Sequence, residues 1–390
     1  MPNSDLSNVK MGLFPDWKSE ESQPRTTGVL PSQSIRELVA HGRILARPPV
    51  SEDQIQPASL DLRLGDMGYR IQASFLPGES TVEERAKQLR MARVDLTRPT
   101  LFEKGCVYIV PLVEELSLPA DIAAKANPKS TTGRLDIFTR LIVDYGVEFD
   151  RVPAGYKGRL YAEIVPGTFT VDVRAGMKLN QLRFVRGNPP SSDSVLSMLD
   201  EEGKLVFAGE ESPGRAKIDR GLKFTLNLQA SGDPTEIIAY KARRNTPAID
   251  LAKINHYSPE DFWEIRRQPP SKSLILDPGD FYILASRERV RVPPDFAAEM
   301  VPFDASIGEF RIHYAGFFDP GFGYGTSNIE GTQAVLEVRA HEVPFMVEHG
   351  QVVGRLTYMH LLARPDKIYG ADIGSSYQQQ ALALSKQFQR

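Results

Sequence analysis

The stretch Leu160-Tyr161-Ala162-Glu163-Ile164 has the apolar and aromatic composition of a buried strand, with one carboxylate inside it. The stretch Ala334-Val335-Leu336-Glu337-Val338 repeats this pattern, and Glu337 follows Glu163 by 174 residues (337 − 163). Pro302 follows Pro128 by the same number, 174 (302 − 128). A separation that stays constant over about 50 residues indicates an internal repeat. The chain is therefore predicted to contain two copies of one β domain.

Upstream of these strands the match is looser and the separation changes. Residues 226–229 (Leu-Asn-Leu-Gln) parallel residues 60–63 (Leu-Asp-Leu-Arg), and residues 248–251 parallel residues 93–96. The rhythm of strands breaks at 187–214, which holds several prolines, serines and acidic residues. The predicted organisation is an N-terminal extension, a first domain, a linker, a second domain and a C-terminal tail, with the bounds 1–28, 29–186, 187–214, 215–363 and 364–390.

The composition bounds the class of protein. The 390 residues are 41% hydrophobic and 25% charged, which is ordinary for a globular protein in water. Because 47 basic residues face 50 acidic ones, the charge gives no reason to expect a nucleic-acid polymer or an anionic membrane as a partner. The 30 glycines and 29 prolines favour short strands joined by turns. The expected fold class is mainly β, a barrel, sandwich or β-roll with a few short helices.

Cysteine use and hydropathy bear on the compartment. Cys106 is the only cysteine, which rules out an intramolecular disulfide and agrees with a reducing, cytoplasmic environment. The sequence has no apolar run of about 18 residues or more, and its first ten residues lack the apolar core of a signal peptide. We therefore expect neither a membrane span nor a secretory leader.

A second informative stretch is Pro128-Lys129-Ser130-Thr131-Thr132-Gly133-Arg134. Lysine and arginine supply positive charge, hydroxyls and backbone N–H groups supply donors, and glycine permits the close approach of a ligand. This composition suits a phosphate group. It is also typical of an ordinary solvated turn, and the stretch alone does not separate the two interpretations.

Several common catalytic designs are absent from the sequence. It has neither a G-x-x-x-x-G-K-[ST] loop nor a strand-linked G-x-G-x-x-G, so a P-loop or a Rossmann turn is not expected. One cysteine cannot supply the P-C-x-x-C of a zinc deaminase, and the six histidines lack the spacing of metal ligands, so no metal site is predicted. What remains is carboxylate chemistry. Glu163 is either a solvated residue on the outer face of its strand or a partly buried general base.

Taken in their order along the chain, these stretches resemble the dCTP deaminase family of the dUTPase-like superfamily. The resemblance rests on residues 55–65 (IQPASLDLRLG), 129–134 (KSTTGR), 150–158, 160–164 and 178–182 (KLNQL). Two copies in one chain resemble the tandem, fused bacterial form of the family. The resemblance implies two tandem dUTPase-like β-roll domains, each a distorted barrel, and a homo-oligomer with its sites at interfaces between domains.

The resemblance also implies an activity, the hydrolytic and zinc-independent deamination of dCTP to dUTP and ammonia. Glu163 matches the family's general base, which activates water for attack on C4 of cytosine. Ser130 and Arg134 match the residues that position this water and the base. Lys129 stands where the family usually has arginine, and with Thr131 it would contact the triphosphate.

Further substrate contacts are implied by the same resemblance. Asp150 matches the residue that meets the 3′-hydroxyl of the deoxyribose, and Tyr156 stands where the family often has tryptophan. Gln181, in the last matching strand, is expected to contact the substrate. Mg²⁺ would be bound through the nucleotide triphosphate rather than by a protein cage.

The second copy departs from the phosphate motif. Its counterpart is Phe303-Asp304-Ala305-Ser306-Ile307-Gly308-Glu309, where phenylalanine replaces the lysine and glutamate replaces the arginine. The acidic groups of this stretch would repel a triphosphate. Asp319 and Glu337 nevertheless match the family's sugar and base segments. Two arrangements stay open: a site of first-copy residues with Glu163 as the base, and a composite site that combines the first copy's phosphate turn with Glu337.

The tail carries another match, to a C-terminal lid that closes over the nucleotide in this family. Tyr377 and Gln379 would contact the substrate from it, and Ser376 stands in place of the family's lysine. The alternative is a polar tail without a role in binding.

The predicted function is that of a dCTP deaminase in pyrimidine deoxynucleotide (dUTP and dTTP) biosynthesis. One alternative is a dUTPase, or a bifunctional dCTP deaminase and dUTP diphosphatase. Another is a non-catalytic nucleotide-binding module. The expected partner is the nucleotide, dCTP or dUTP.

Overall fold

The computed structural model describes residues 25–209, 212–229, 236–267, 271–301, 310–312, 316–324, 331–340, 342–369 and 382–390. Strands dominate these residues and the helices are short. The prediction of a mainly β fold is therefore confirmed.

The first domain is built from short strands around two long ones, β7 and β11. Its strands are β1 (Gly28–Val29), β2 (Ile44–Ala46), β3 (Leu60–Arg63), β4 (Met67–Ile71), β5 (Arg90–Asp95), β6 (Thr100–Phe102), β7 (Val107–Ser117), β8 (Ile122–Pro128), β9 (Ile137–Val143), β10 (Arg151–Val152), β11 (Lys157–Pro166), β12 (Val171–Val173) and β13 (Lys178–Arg186). Its helices are α1 (Ser32–Ala40), α2 (Val82–Leu89) and α3 (Ser130–Gly133). From residue 110 to 116 in β7 every second side chain is buried, as expected of a strand that covers a core with one face.

The second domain follows a connecting helix, α4 (Asp193–Glu201). Its strands are β14 (Val206–Gly209), β15 (Ser212–Pro213), β16 (Leu222–Thr225), β17 (Ile237–Ala242), β18 (Ile249–Asp250), β19 (Trp263–Arg267), β20 (Ser273–Leu276), β21 (Phe281–Val290), β22 (Phe296–Val301), β23 (Phe310–Ile312), β24 (Phe317–Phe318), β25 (Thr332–Ala340), β26 (Phe345–Glu348) and β27 (Val352–His360). A short helix, α5 (Pro259–Phe262), precedes β19.

The central strands of the sheets repeat between the two domains. In the first domain one sheet has the order β1-β13-β8-β10 with β3 on β13, and the other has the order β5-β4-β7-β11-β9 with β2 on β7. In the second domain β27 pairs with β16 and β22, while β21 pairs with β17, β25 and β14. β27 and β22 thus correspond to β13 and β8, and β21 and β25 to β7 and β11. The internal repeat is a repeat of structure.

The register of the strands corrects one upstream match. β3 pairs with β13 so that Leu60 faces Leu182, and β16 pairs with β27 so that Leu222 faces Leu356, 174 residues later (356 − 182). β16 is therefore the counterpart of β3, and the predicted match of residues 226–229 is wrong by four positions. Side chains alternate with a period of two along a strand, so a shift by four keeps every side chain on its face and leaves the pattern intact.

A second upstream match is also wrong, and the reason is a contact between the domains. β19, not residues 248–251, pairs with β17 in the way that β5 pairs with β4. β18 instead adds in parallel to β12 of the first domain, where the Ile249 N–H donates to the Thr170 carbonyl at 3.0 Å. Nearby, Trp263 packs edge-on against Phe169, with ring centroids 5.4 Å apart. The apolar core of the first domain therefore continues into the second.

Arg183 of β13 forms a deeply buried polar contact between the domains. Its side chain is 1% exposed. Its guanidinium donates to the Ala298 carbonyl at 2.9 Å and to an Asp319 carboxylate oxygen at 3.2 Å, and it lies 4.1 Å from the centroid of the Phe317 ring. A charge this far from water is tolerated only with such partners.

We expect Arg183→Ala to lower the free energy of unfolding by about 3–5 kcal/mol, because it leaves the Asp319 carboxylate buried without its partner. Urea titration followed by fluorescence measures this change. The matched control is Arg186→Ala in the same strand, since Arg186 and Asp121 form an exposed pair at 3.1 Å. That change should cost less than about 1 kcal/mol. Equal losses in the two variants would contradict the structural role given to Arg183.

Candidate active site

A cavity of about 210 Å³ opens between the two domains. The first domain lines it with the turn that runs from Pro128 to Arg134 and with Gln56 and Gln181. The second domain lines it from β24, β25 and the segment after β27, with Phe317, Phe318, Asp319, Gln333, Val335, Glu337 and Tyr369 among its residues. The cavity exists only because the domains pack together.

The basic turn is closed by its own backbone. The N–H groups of Thr132 and Gly133 donate to the Lys129 carbonyl at 2.8 and 3.0 Å, which forms the single turn of α3. The Lys129 N–H donates to the Leu179 carbonyl at 2.9 Å. This last bond ties the turn to β13, the strand that also carries Gln181 into the cavity.

Lys129 holds its charge at the wall of the cavity through an ion pair with Asp61 of β3. The Asp61 side chain is 3% exposed and the Lys129 side chain 26%. Burial raises the pKa of Asp61, and the charge of Lys129 acts against that rise. One carboxylate oxygen of Asp61 accepts no hydrogen bond from the described residues. The pair therefore places the Lys129 ammonium group at the cavity wall, with the Asp61 carboxylate buried behind it.

Glu337 and Arg134 face the same cavity from different domains. Each is 6% exposed. Burial raises the pKa of Glu337 to about 7, and the positive charge of Arg134 limits the rise. A carboxyl group with this pKa exists in both protonation states near neutral pH, which is the property of a general acid–base group.

Asp319 lies beside the Phe317–Phe318 strand and reaches the cavity from the second domain. Its side chain is 11% exposed and accepts the hydrogen bond from Arg183 described above. Burial raises the pKa of Asp319, and Arg183 opposes this. The arginine of one domain thus orients a carboxylate of the other.

Glu163, at the strand position that corresponds to Glu337, lies in the interior of the first domain. It faces Arg140 across β11 and β9, and its carboxylate accepts from the Arg140 guanidinium at 2.6 and 3.1 Å. Arg140 is stacked between Phe138 and Phe149, 4.5 and 3.6 Å from their ring centroids. The side chain of Glu163 is 0% exposed. Glu163 is therefore paired with Arg140 inside the first domain.

Two other predicted contacts also lie in the first domain's framework. Asp150 has a left-handed backbone, with φ of 63°, and its carboxylate accepts from the Leu141 N–H at 2.7 Å. Burial raises the pKa of Asp150 to about 7. The Tyr156 hydroxyl donates to the Arg159 carbonyl at 2.7 Å. These bonds brace the loop between β9 and β11.

The sequence matches known families over nearly all of its described length. Residues 26–188 match the model of the 2′-deoxycytidine 5′-triphosphate deaminase N-terminal domain, and residues 192–388 match that of the C-terminal domain. The chain belongs to the dCTP deaminase family. The resemblance drawn from the sequence motifs is therefore confirmed.

Solved and curated relatives agree with this assignment. The crystal structure of 2′-deoxycytidine 5′-triphosphate deaminase from Agrobacterium tumefaciens is 48% identical, with a TM-score of 0.82 over 88% of this chain and 100% of that chain. A protein of Methanosphaera stadtmanae named "dCTP deaminase, dUMP-forming" is 28% identical over 195 residues, 49% of this chain and 93% of its own length. A dCTP deaminase of Halorubrum lacusprofundi is 28% identical over 167 residues, 42% of this chain and 79% of its own.

The structure brings together some of the residues implied by the dCTP deaminase resemblance. Those that line the cavity are Lys129, Ser130, Thr131, Arg134, Gln181, Asp319 and Glu337. Glu163, Asp150 and Tyr156 are not among the residues that line it. Glu163 is held away from the cavity because β11 pairs it with Arg140. Tyr377, Gln379 and the stretch 303–309 lie outside the described residues.

Sequence reasoning missed several residues of the cavity wall. Gln333 enters from the start of β25, and Phe317 and Phe318 enter from β24. The run of two phenylalanines directly before Asp319 was an available signal, since paired aromatic residues beside a polar group are typical of ligand pockets. No pattern in the sequence marked Gln333.

The donors at the basic turn suit the phosphate oxygens of a nucleotide. Among the described residues there is no group of three or more His, Cys, Asp or Glu side chains that could hold a metal ion. The wall beside the turn offers hydroxyl groups and lysine, with Asp61 beneath. Mg²⁺ commonly keeps phosphate and water oxygens as its main ligands in such sites.

None of the described helices is long and apolar enough to cross a membrane.

We expect the carboxyl group of Glu337 to titrate near pH 7. The infrared difference spectrum between the native protein and Glu337→Gln should show a protonated-carboxyl band that disappears as the pH rises through this value. Because the charge of Arg134 lowers the pKa, Arg134→Gln should move the midpoint to higher pH. A Glu337 carboxyl that is already ionised at about pH 5, near the ordinary range of glutamate, would contradict this expectation.

Proposed function

We propose that the protein is a cytoplasmic dCTP deaminase that converts dCTP and water to dUTP and ammonia without zinc. Membership of the dCTP deaminase family supports this function. The observation that carries it is the cavity itself, where Glu337, whose pKa burial raises to about 7, faces the basic turn of the other domain. A carboxylate base and a polyanion-binding turn are the two parts that this reaction needs.

In this proposal Glu337 is the general base, as in the composite arrangement. Its carboxylate takes a proton from water while the water oxygen attacks C4 of cytosine. That proton passes to N3 of the ring. The proton of the hydroxyl group now on C4 then passes, through the Glu337 carboxylate, to the exocyclic amino group, and the C4–N bond breaks to release ammonia as the C4 carbonyl forms. A base with a pKa near the working pH transfers protons in both directions most effectively.

Arg134 and Ser130 are the proposed positioning groups for the water and the pyrimidine. Both line the same cavity as Glu337, from the first domain. The charge of Arg134 keeps part of Glu337 ionised despite its burial. Removal of Arg134 would therefore lower the ionised fraction of Glu337 at neutral pH and would also weaken the binding of the ring.

Lys129 and Thr131 are the proposed triphosphate contacts. Lysine offers a point charge without the two-pronged geometry of arginine. When nucleotide binds, phosphate oxygens would replace the Asp61 carboxylate as the partner of Lys129. Mg²⁺ bound to the phosphates would supply further neutralisation of their charge. Gln181, also on the wall, is the proposed polar contact to the base or sugar.

Asp319, rather than Asp150, is the proposed partner of the 3′-hydroxyl of the deoxyribose. Asp319 lines the cavity and is oriented by Arg183. The Asp150 carboxylate instead accepts a hydrogen bond from a backbone N–H group of its own domain. A carboxylate held by a buried arginine presents its remaining lone pairs in a fixed direction.

The name of one relative favours a second candidate. The protein from Methanosphaera stadtmanae is named as a dUMP-forming enzyme. An enzyme of this second type would also cleave the triphosphate, releasing pyrophosphate and dUMP.

Incubation with dCTP and Mg²⁺, and separately with dUTP and Mg²⁺, distinguishes these functions. We expect ammonia and dUTP to accumulate in equal amounts from dCTP, and dUTP to remain intact. Pyrophosphate and dUMP from either nucleotide would establish the bifunctional enzyme or a dUTPase instead. Binding of dCTP without any product would overturn both enzymatic functions in favour of a binding module.

The choice of base is tested by a matched pair of variants. Glu337→Gln should lower kcat by about 10²–10⁴-fold, the usual contribution of a general base. Glu163→Gln should leave kcat within a few-fold but lower the stability, since Arg140 loses its ionised partner. In the native enzyme kcat/KM should fall as the pH drops below about 7, because Glu337 becomes protonated. Loss of turnover in Glu163→Gln alone would refute the assignment of Glu337.

Two further parts of the proposal rest on the sequence. The cytoplasm suits a chain with the single cysteine Cys106. Association into a homo-oligomer follows from the family resemblance. Analytical ultracentrifugation of the purified chain measures that association directly.

A further inference from the structure

The last residues of the chain contact the basic turn of the cavity. The Ser385 hydroxyl donates to the Thr131 carbonyl at 2.8 Å, and the Arg134 guanidinium donates to the Ala383 carbonyl at 3.1 Å. Neither Ala383 nor Ser385 is among the residues that line the cavity. These contacts therefore reach the turn from outside the substrate space. We call residues 382–388 the C-terminal anchor.

The other side of the anchor is bonded to the second domain. The N–H groups of Asn255 and His256 donate to the carbonyls of Lys386 and Gln387 at 2.9 and 2.8 Å. The Gln387 side-chain amide donates to the Leu251 carbonyl at 3.0 Å. The anchor thus bridges the loop after β18 and the turn of the first domain.

Phe388 fixes the end of the anchor in an aromatic cluster. Its ring centroid lies 6.4, 5.5 and 5.9 Å from those of Tyr257, Phe262 and Trp263. Phe388 and Ser385 are each 2% exposed. The last residues of a domain usually fray unless they are tied down, so burial of this degree marks an integral part of the fold.

We propose that the C-terminal anchor positions Arg134 and the basic turn for catalysis, with Ser385 and Phe388 as positioning residues. This inference rests on the proposed function, because it concerns the same cavity. The Ala383 carbonyl supplies one acceptor that helps to fix the Arg134 guanidinium. Ser385 fixes the backbone of the residue next to Ser130.

The contact matters because the Arg134 charge has two tasks. It faces the substrate space, and it keeps Glu337 partly ionised. A guanidinium group that lost one of its acceptors would be held less tightly and would spend more of its time away from Glu337. A loosened anchor therefore affects the ionisation of the base as well as the binding of nucleotide.

Ser385→Ala and Phe388→Ala in the full-length chain test the proposal. We expect faster amide hydrogen exchange at Thr132, Gly133 and Arg134, because the turn loses its outer support. We expect kcat/KM for dCTP to fall roughly tenfold in Ser385→Ala, the equivalent of one lost hydrogen bond in a buried position. The acid limb of the pH profile should move to higher pH, since a mobile Arg134 no longer lowers the pKa of Glu337. A purely structural role would not move this limb.

Two controls complete the design. Ser385→Thr keeps the hydroxyl and should restore exchange, kcat/KM and the pH limb to native values. Gln389→Ala removes only an exposed side-chain bond to the His256 carbonyl, 3.2 Å long, and should change none of them.

The outcomes separate this inference from the proposed function. If the native protein does not deaminate dCTP, the proposed function fails, while hydrogen exchange still reports whether the anchor orders the turn. A lower melting temperature in both alanine variants, with exchange at the turn, kcat/KM and the pH limb all unchanged, would overturn the inference. If Phe388→Ala does not fold, Ser385→Ala alone decides.

Discussion

The electrostatic interaction between Arg134 and Glu337 across the domain boundary is the constraint on which the proposed site depends. Burial alone would keep the carboxyl of Glu337 protonated, and an exposed arginine would be screened by water. Their effect on each other requires buried positions at a cavity with one wall from each domain. The interdomain contacts of Arg183 and β18 supply that packing. A site of this kind demands rigidity between the two domains as well as within them.

Equivalent positions in the two copies have different surroundings. Glu163 and Glu337 occupy the same place in β11 and β25, yet one is paired with Arg140 inside its sheet and the other lines a cavity. Asp61, which supports Lys129, corresponds in the aligned strands to Lys223. The charges at equivalent positions therefore differ between the two copies. The shared strand framework made this possible, because the core positions of both domains stayed apolar.

The sequence predicted the β class, the repeat and the basic turn, because each leaves a local pattern. The repeat was especially informative, since it let Glu337 be compared with Glu163 within one chain. What the sequence could not supply was long-range geometry. The register of β16 was misplaced because alternation with a period of two tolerates a shift by four. The pairing of Glu163 with Arg140 depends on which strands become neighbours, and the contact of Ala383 with Arg134 joins residues 249 positions apart.

The parallel addition of β18 to β12 has a consequence for how this gene can evolve. A lone first domain would leave the edge of β12 uncovered and the face of Phe169 without Trp263. Bare strand edges and apolar faces promote aggregation, so we do not expect either half to stay folded and soluble without the other. Because each half covers part of the other's surface, division of the gene between the two domains is expected to cost both products their folded state.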